Sequence, residues 1–200
     1  VDDDSKDETR NIIEKINSNN EIKLIHRTKT KGLASAFLTG LIQSSGEHIG
    51  WIDTNMSELA EKFPEMANLL ETNFDIVILS RYIDGGGDKR NKLRAVSSKY
   101  FNYLCSFLLG SKIKDYTSGI FLMKRKVLNE VNFLAYGHGE FFIEFVENAN
   151  RKGFNIKEIP YVQMKDDELE VSKTAGNLIN FIYLGFIYFL RILKTIIRRN

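Results

Sequence analysis

Two hundred residues carrying 28 Lys and Arg against 26 Asp and Glu leave a net charge of +2, too small to argue for nucleic-acid binding. With 43% hydrophobic and 27% charged residues, the chain is an ordinary folded protein and neither a disordered nor a fibrous one. Cys105 is the sole cysteine, which excludes an internal disulfide and fits a reducing compartment.

No secretory signal is visible, and the chain opens directly on Val1-Asp2-Asp3-Asp4, which leads us to expect a further strand upstream. These residues read as the end of a strand entering a helix, with Ser5 or Asp7 as cap and acidic residues suited to the macrodipole. The helix runs to about Ile16, with Ile12, Ile13 and Ile16 facing inward, until Asn17-Ser18-Asn19-Asn20 breaks it. Residues 21–26 are strand-like, and Lys31-Gly32-Leu33 leads into a helix through Ala34, Phe37, Leu38 and Leu41. The apolar run 49–52 reads as a short buried strand that stops on Asp53, and Pro64 suits the first turn of a helix to about Leu70.

Residues 74–81 form another buried strand, followed by a Gly-rich basic loop over 84–94. The helix 93–109 carries Val96, Tyr100, Tyr103, Leu104 and Phe107. A polar turn from Asp115 runs into a short strand ending near Met123, residues 139–152 are helical and end on Gly153, and 156–162 is a last strand in which Pro160 implies an edge or a bulge. Strands alternating with helices predict an α/β fold, a mostly parallel Rossmann-like sheet flanked by helices. The composition divides the chain into a domain over 1–165 and a C-terminal segment over 166–200.

In such sheets ligands bind beyond the carboxyl ends of the strands, which puts Asp53 at the expected place. A carboxylate there, with the Asn55 amide two residues on, can hold a divalent cation, Mg²⁺ or Mn²⁺, through oxygen atoms. Asp2 or Asp3, at the previous strand end, can accept hydrogen bonds from a base or ribose. Arg81, Arg94 and Ser98 lie in or beside the basic loop, where guanidinium suits a phosphate. Asp115 and Glu144 are the candidate proton acceptors should the acceptor be a hydroxyl.

Taken together these stretches resemble the family 2 glycosyltransferases of the GT-A fold, in particular the dolichol-phosphate mannose synthase-like branch. Val1-Asp2-Asp3-Asp4-Ser5 is similar to that family's V-D-D-G-S, and Asp53-Thr54-Asn55-Met56-Ser57 occupies its D-x-D position. Ser80-Arg81-Tyr82 with Gly85-Gly86, Arg94 with Ser98, Asp115-Tyr116-Thr117-Ser118-Gly119 with Arg125, Glu144, Ile159-Pro160 and Ser172-Lys173 follow in the family's order. The departures are Asp4 in place of Gly, Asn55 in place of the second carboxylate, Glu58-Leu59-Ala60 in place of H-P-P, and a poorly spaced Lys165 in place of the Arg expected shortly before Ser-Lys.

The resemblance implies an inverting transfer of a hexose from a GDP-mannose- or UDP-glucose-type donor to a polyprenyl or dolichyl phosphate. It implies donor binding by Asp2, Asp3, Gly32, Asp53 and Arg81, metal binding by Asp53, Asn55 and Ser57, and catalytic roles for Asp53, Arg81, Arg94, Ser98, Asp115 and Glu144. Transfer to a saccharide or protein hydroxyl, and a degenerate non-catalytic scaffold, are the alternatives. In the C-terminal segment Arg191, Lys194 and Arg198 form a basic stripe beside Leu190, Leu193 and Ile197, which suits an amphipathic helix in a membrane interface or one packed on the sheet or a partner subunit. The expected location is cytoplasmic, peripheral at the cytoplasmic face of a membrane, with a homo-oligomer or a membrane-anchoring subunit as further partner.

Overall fold

The computed structural model describes residues 1–17, 22–29, 31–133, 137, 139–165 and 178–198; of Asn55 and residues 178–181 it describes the backbone alone. The expectation for Ser172-Lys173 lies outside the described residues. Along the chain come α1 (Thr9–Ile16), α2 (Leu33–Gln43), β1 (His48–Trp51), a 3-10 segment (Thr54–Lys62), α3 (Phe63–Leu70), β2 (Ile76–Ser80) and β3 (Gly87–Asp88). They are followed by α4 (Lys92–Leu109), β4 (Phe121–Lys124), α5 (Arg125–Glu130), α6 (Phe141–Arg151), β5 (Ile156–Pro160), β6 (Val162–Gln163) and α7 (Leu178–Ile197).

The central sheet has the order β1-β4-β2-β5. β1, β2 and β5 point the same way, as a mostly parallel sheet requires, while β4 is reversed between β1 and β2. β2 (Ile76–Ser80) is buried on both faces along its whole length, which is why Ile76-Val77-Ile78-Leu79 reads as an unbroken apolar run rather than an alternation. Pro160 closes β5 on the sheet's edge, where its missing N–H costs no ladder bond, and the chain continues into β6, paired with β3. Gly50 is required in β1 by close approach: a Cβ there would meet a Leu122 methyl at 2.8 Å and the Phe121 carbonyl at 3.0 Å.

The larger core lies between the sheet and α2, α4, α6 and α7, with Phe37, Phe121, Phe142 and Phe145 at its centre; Phe121 and Phe142 stack at 5.3 Å. Cys105 is buried there, and burial pushes its thiol well above the usual range. The smaller core, under α3, holds Met66, Leu70, Val77, Leu79 and Ile159.

Three expectations are corrected. The strand over 21–26 is reduced, among the described residues, to one parallel bridge between Asp2 and His26. α1 buries none of its residues, and Ile12 and Ile16 face solvent, because no described element packs on that face. The basic stripe of α7 does not point outward as a unit: Arg191 is buried and donates to Glu144 Oε2 at 2.9 Å, while Arg198 reaches Glu144 Oε1 at 2.8 Å. Magnitudes explain the choice. A cation near an anionic membrane gains about 1 kcal/mol, whereas a buried carboxylate robbed of its partner costs about 3–5 kcal/mol.

Candidate active site

The register places the strand ends on one rim. Trp51 and Ile78 both lie opposite Phe121, so Asp53, two residues past β1, and Arg81, one past β2, project from the same edge as the 115–120 loop that enters β4. Asp53, half-buried, accepts a hydrogen bond from the Trp51 indole at 3.0 Å, and its carbonyl starts the 3-10 turn by accepting from Met56 N at 3.0 Å. The following turn leaves Ser57 exposed.

Asp2 and Asp3 reach this rim from the amino-terminal segment. Asp2 accepts from the Ser5 amide and faces His26 Nδ1 at 3.0 Å; the Ser5 hydrogen bond, with His26 adding, holds its carboxyl down at about 2. Asp3 accepts from Gly32 N at 2.8 Å and from Arg27 Nε at 2.6 Å, and against its burial these donors keep it below the usual carboxylate range. Asp4, standing where the resemblance expects Gly, has φ +66°, the left-handed region that favours glycine and that Asp tolerates better than most residues. A cleft of about 1120 Å³ joins Asp3, Lys31 and Gly32 at one end to Asp53 and Thr54, running along α2 and the outer edge of β1. Asp3, Gly32 and Asp53 are thus brought together.

Arg81 is 5% exposed and committed to Asp115. Its Nε and one terminal nitrogen donate to both oxygens of Asp115, at 2.8 and 2.7 Å, and the same nitrogen donates to the Thr117 hydroxyl at 2.8 Å. The Arg81 amide donates to Asp115 as well, at 3.0 Å, and Asp88 stands 3.8 Å from the other terminal nitrogen. Asp88 in turn accepts from Arg90 Nε at 2.9 Å, which, against burial, keeps its carboxyl low. Signs alternate along Asp115, Arg81, Asp88 and Arg90, so four buried or half-buried charges neutralise in pairs.

The 115–119 loop is fixed from three directions. Glu158 of β5 accepts from the amides of Lys114 and Asp115, both at 2.9 Å; Asn102 of α4 accepts from Tyr116 N at 2.6 Å and donates to Thr117 at 2.7 Å; the Tyr116 hydroxyl donates to Glu147 at 2.9 Å. On α4, Ser98 accepts from the Tyr82 hydroxyl at 2.7 Å, and Arg94, half-buried, lies one turn before it. Glu144 stands apart from these groups, bound to the two arginines of α7. Arg125 lies at the opposite end of the sheet, pinning the turn before β1 through Gly46 O at 2.7 Å and Ser44 Oγ at 3.1 Å.

Asp88, Asn102, Glu158 and Tyr188 were not singled out in the sequence. For Asn102 a signal existed: it continues the four-residue spacing of Arg94 and Ser98 on α4. Tyr188 of α7 lies so close to Gly139 that a Cβ there would stand 2.6 Å from its hydroxyl. Burial, then the charge of Glu140, raises its phenol; Arg81 opposes this and Asp53 adds to it, so α7 brings a side chain within the field of both halves of the rim.

No three His, Cys, Asp or Glu side chains converge as a metal cluster among the described residues. That is compatible with Mg²⁺ or Mn²⁺ at Asp53, since such ions commonly take one or two carboxylates and complete their shell with substrate phosphate and water.

The sequence model described as Glycosyl transferase family 2 matches residues 1–131. The chain is 29% identical over 185 residues to the polyprenol monophosphomannose synthase of Mycolicibacterium smegmatis, covering 88% of this chain and 69% of that protein. It is 30% identical over 194 residues to the dolichol-phosphate mannosyltransferase of Pyrococcus furiosus, covering 94% of this chain and 53% of that one, so it spans about half the length of that relative. Among solved structures, glucosyl-3-phosphoglycerate synthase from Mycobacterium tuberculosis, in complex with Mn²⁺, UDP and glucosyl-3-phosphoglycerate, superposes with a TM-score of 0.65 at 15% identity. That match covers 98% of this chain and 67% of the other, and it establishes a GT-A-like fold.

Proposed function

Because the chain belongs to glycosyl transferase family 2 it is a glycosyltransferase, and we propose that it moves a hexose from a GDP-mannose- or UDP-glucose-type donor to a polyprenyl or dolichyl phosphate, with inversion. The names of both relatives support this acceptor class. The observation that carries the choice is that both candidate bases are buried and committed to arginine, Asp115 to Arg81 and Glu144 to Arg191 and Arg198. A hydroxyl acceptor needs a proton acceptor, whereas a phosphate monoester is already ionised near neutral pH and needs positioning.

In the proposed step an acceptor phosphate oxygen forms a bond to the anomeric carbon as the bond from that carbon to the donor's diphosphate breaks. Arg94 and Ser98, on the site-facing side of α4, position the acceptor phosphate, while Arg81 shapes the wall with its charge fixed by Asp115. Asp3, through its bond to Gly32, holds the donor end of the cleft in shape. A divalent cation bound there would offset the charge of the leaving diphosphate, with Asp53, Asn55 and Ser57 as its holders. The solved neighbour with Mn²⁺ supports such an ion. We take 1–165 as the catalytic unit and 166–200 as the segment carrying α7. No described helix is long and apolar enough to cross a membrane, and a lipid-linked acceptor fits a chain lying at the cytoplasmic surface of one.

The test incubates the protein with Mn²⁺, labelled GDP-mannose or UDP-glucose, and polyprenyl phosphate. Lipid-linked label is expected. Label on a saccharide hydroxyl alone would refute the acceptor assignment, and donor binding without transfer to any acceptor would point to the scaffold reading.

A further inference from the structure

We infer that Glu147 of α6 is a positioning residue of the transfer site: through the Tyr116 hydroxyl it sets the 115–119 loop, and through Arg151 it makes that setting depend on the seated last turn of α7. Tyr116 stands between the two residues that hold Arg81, Asp115 through its carboxylate and Thr117 through its hydroxyl. Any displacement of Tyr116 therefore moves both partners of the buried guanidinium at once. Tyr116 is itself fully buried and pinned at both ends, its amide donating to Asn102 Oδ1 at 2.6 Å and its hydroxyl to Glu147 Oε2 at 2.9 Å. Burial raises its phenol well above the usual range and Glu147 adds to the rise, against a hydrogen bond with Ser111, so the hydroxyl stays a donor.

Glu147, 2% exposed, divides its two oxygens between two directions. Oε2 faces the loop, and Oε1 accepts from Arg151 Nε at 2.8 Å, one turn along α6. Arg151 Nη1 then donates to the Thr195 carbonyl at 2.9 Å. Thr195 lies in the last turn of α7, the turn whose carbonyls lack intrahelical donors; a guanidinium there satisfies one of them and suits the negative end of the helix. The path from α7 to the loop thus runs Thr195, Arg151, Glu147, Tyr116, each link one hydrogen bond. Glu144 fastens α7 separately, through Arg191 and Arg198.

Stability is not what this arrangement serves best. Arg151 Nη2 is buried and has no hydrogen-bond partner among the described residues. A buried charge pair with a donor left over gains little over an apolar replacement of the same volume. What a planar guanidinium does supply is direction: it fixes the Glu147 carboxylate, and so fixes where the Tyr116 hydroxyl finds its acceptor. Only in taking the 115–119 loop as a wall of the site does this rest on the acceptor reading, and it adds that residues 1–165 do not complete that wall without α7.

The experiment measures transfer to detergent-solubilised polyprenyl phosphate, and hydrogen exchange over 115–119 without substrate. It compares the full chain with Tyr116→Phe, Arg151→Lys and the double variant. Tyr116→Phe cuts the relay at the loop, whereas Arg151→Lys leaves Glu147 a cation but removes the second arm that reaches Thr195. Each single variant is expected to raise the acceptor KM by about tenfold, with the donor KM unchanged, and to speed exchange over 115–119. The double variant is expected to be no worse than Tyr116→Phe, because a relay already cut has nothing more to lose. Should Tyr116→Phe fail to fold, Arg151→Lys carries the test, its side chain being 23% exposed. A merely structural pair lowers the melting of each variant additively and leaves the kinetic constants of the folded protein alone, and that result overturns the inference. So does loop exchange that keeps the wild-type rate in the single variants. A wild type that does not transfer to polyprenyl phosphate refutes the acceptor reading instead; faster loop exchange in the single variants, with no further gain in the double, then still upholds the relay.

Discussion

The two halves of the rim treat their carboxylates differently. On the side proposed for the donor Asp53 is half-buried, holds one indole hydrogen bond and borders an open cleft. On the side proposed for the acceptor Asp115 is buried and closed off by Arg81; Glu144, apart from the rim, is closed off in the same way by Arg191 and Arg198. A group that must meet a cation keeps part of its valence for it, whereas a group that builds the wall is saturated, because an unpaired buried charge costs more than any contact it could offer a ligand.

The sharpest way to break that contrast is Asp115→Asn. It leaves Arg81 buried without its bidentate partner, and we expect a loss of about 3–5 kcal/mol of stability, read as a lowered midpoint in urea. A variant that folds as well as wild type but has lost turnover would make Asp115 a base and erase the distinction. Next comes Asp53→Asn, expected to lower turnover by about 10²–10³ with unchanged melting and weakened Mn²⁺-dependent donor binding by calorimetry. Adding a carboxylate by Asn55→Asp acts in the opposite direction and tightens metal binding, by roughly an order of magnitude.

Glu144→Gln is milder because the amide oxygen still accepts one arginine. We expect about 2 kcal/mol, felt locally as faster hydrogen exchange in α7 while transfer to a detergent-solubilised acceptor continues. Lost chemistry with α7 still protected would return Glu144 to a catalytic role.

Much of this was legible in residues of local character. Asp53 ends a strand, Pro64 opens a helix, Gly153 closes one with φ +82°, and Pro160 sits on an edge strand, each a position where backbone chemistry alone limits the choices. Of the residues that the family pattern singles out, Asp3, Gly32 and Asp53 line one cleft, and Arg81 pairs with Asp115. Sequence could not show which arginine each acid takes. Arg191 and Lys194 look alike on a helical projection, and only the arrival of Glu144 from α6 separates a buried arginine from an exposed lysine. The outward turn of Tyr100, Tyr103 and Phe107 was hidden for the same reason, since periodicity reports that a helix has two faces and not which one is covered.

The smallest effect sharpens the donor side. The Asp2 carboxyl stands at about 2 in the folded chain against 3.8 ordinarily. Because the folded value is depressed, the unfolded chain binds more protons in that window, and stability rises with pH across it. The contribution of Asp2 is therefore fully present above about 3.8 and is lost as pH falls through about 2. Between those values the Ser5 amide, which donates to Asp2, should shift in an NMR titration with the apparent value of the carboxyl. In Asp2→Asn the amide keeps an acceptor that does not titrate, so the shift should vanish while the Asp3–Gly32 bond persists. A Ser5 amide that titrates unchanged in that variant would mean that another group, not Asp2, holds the Ser5 amide.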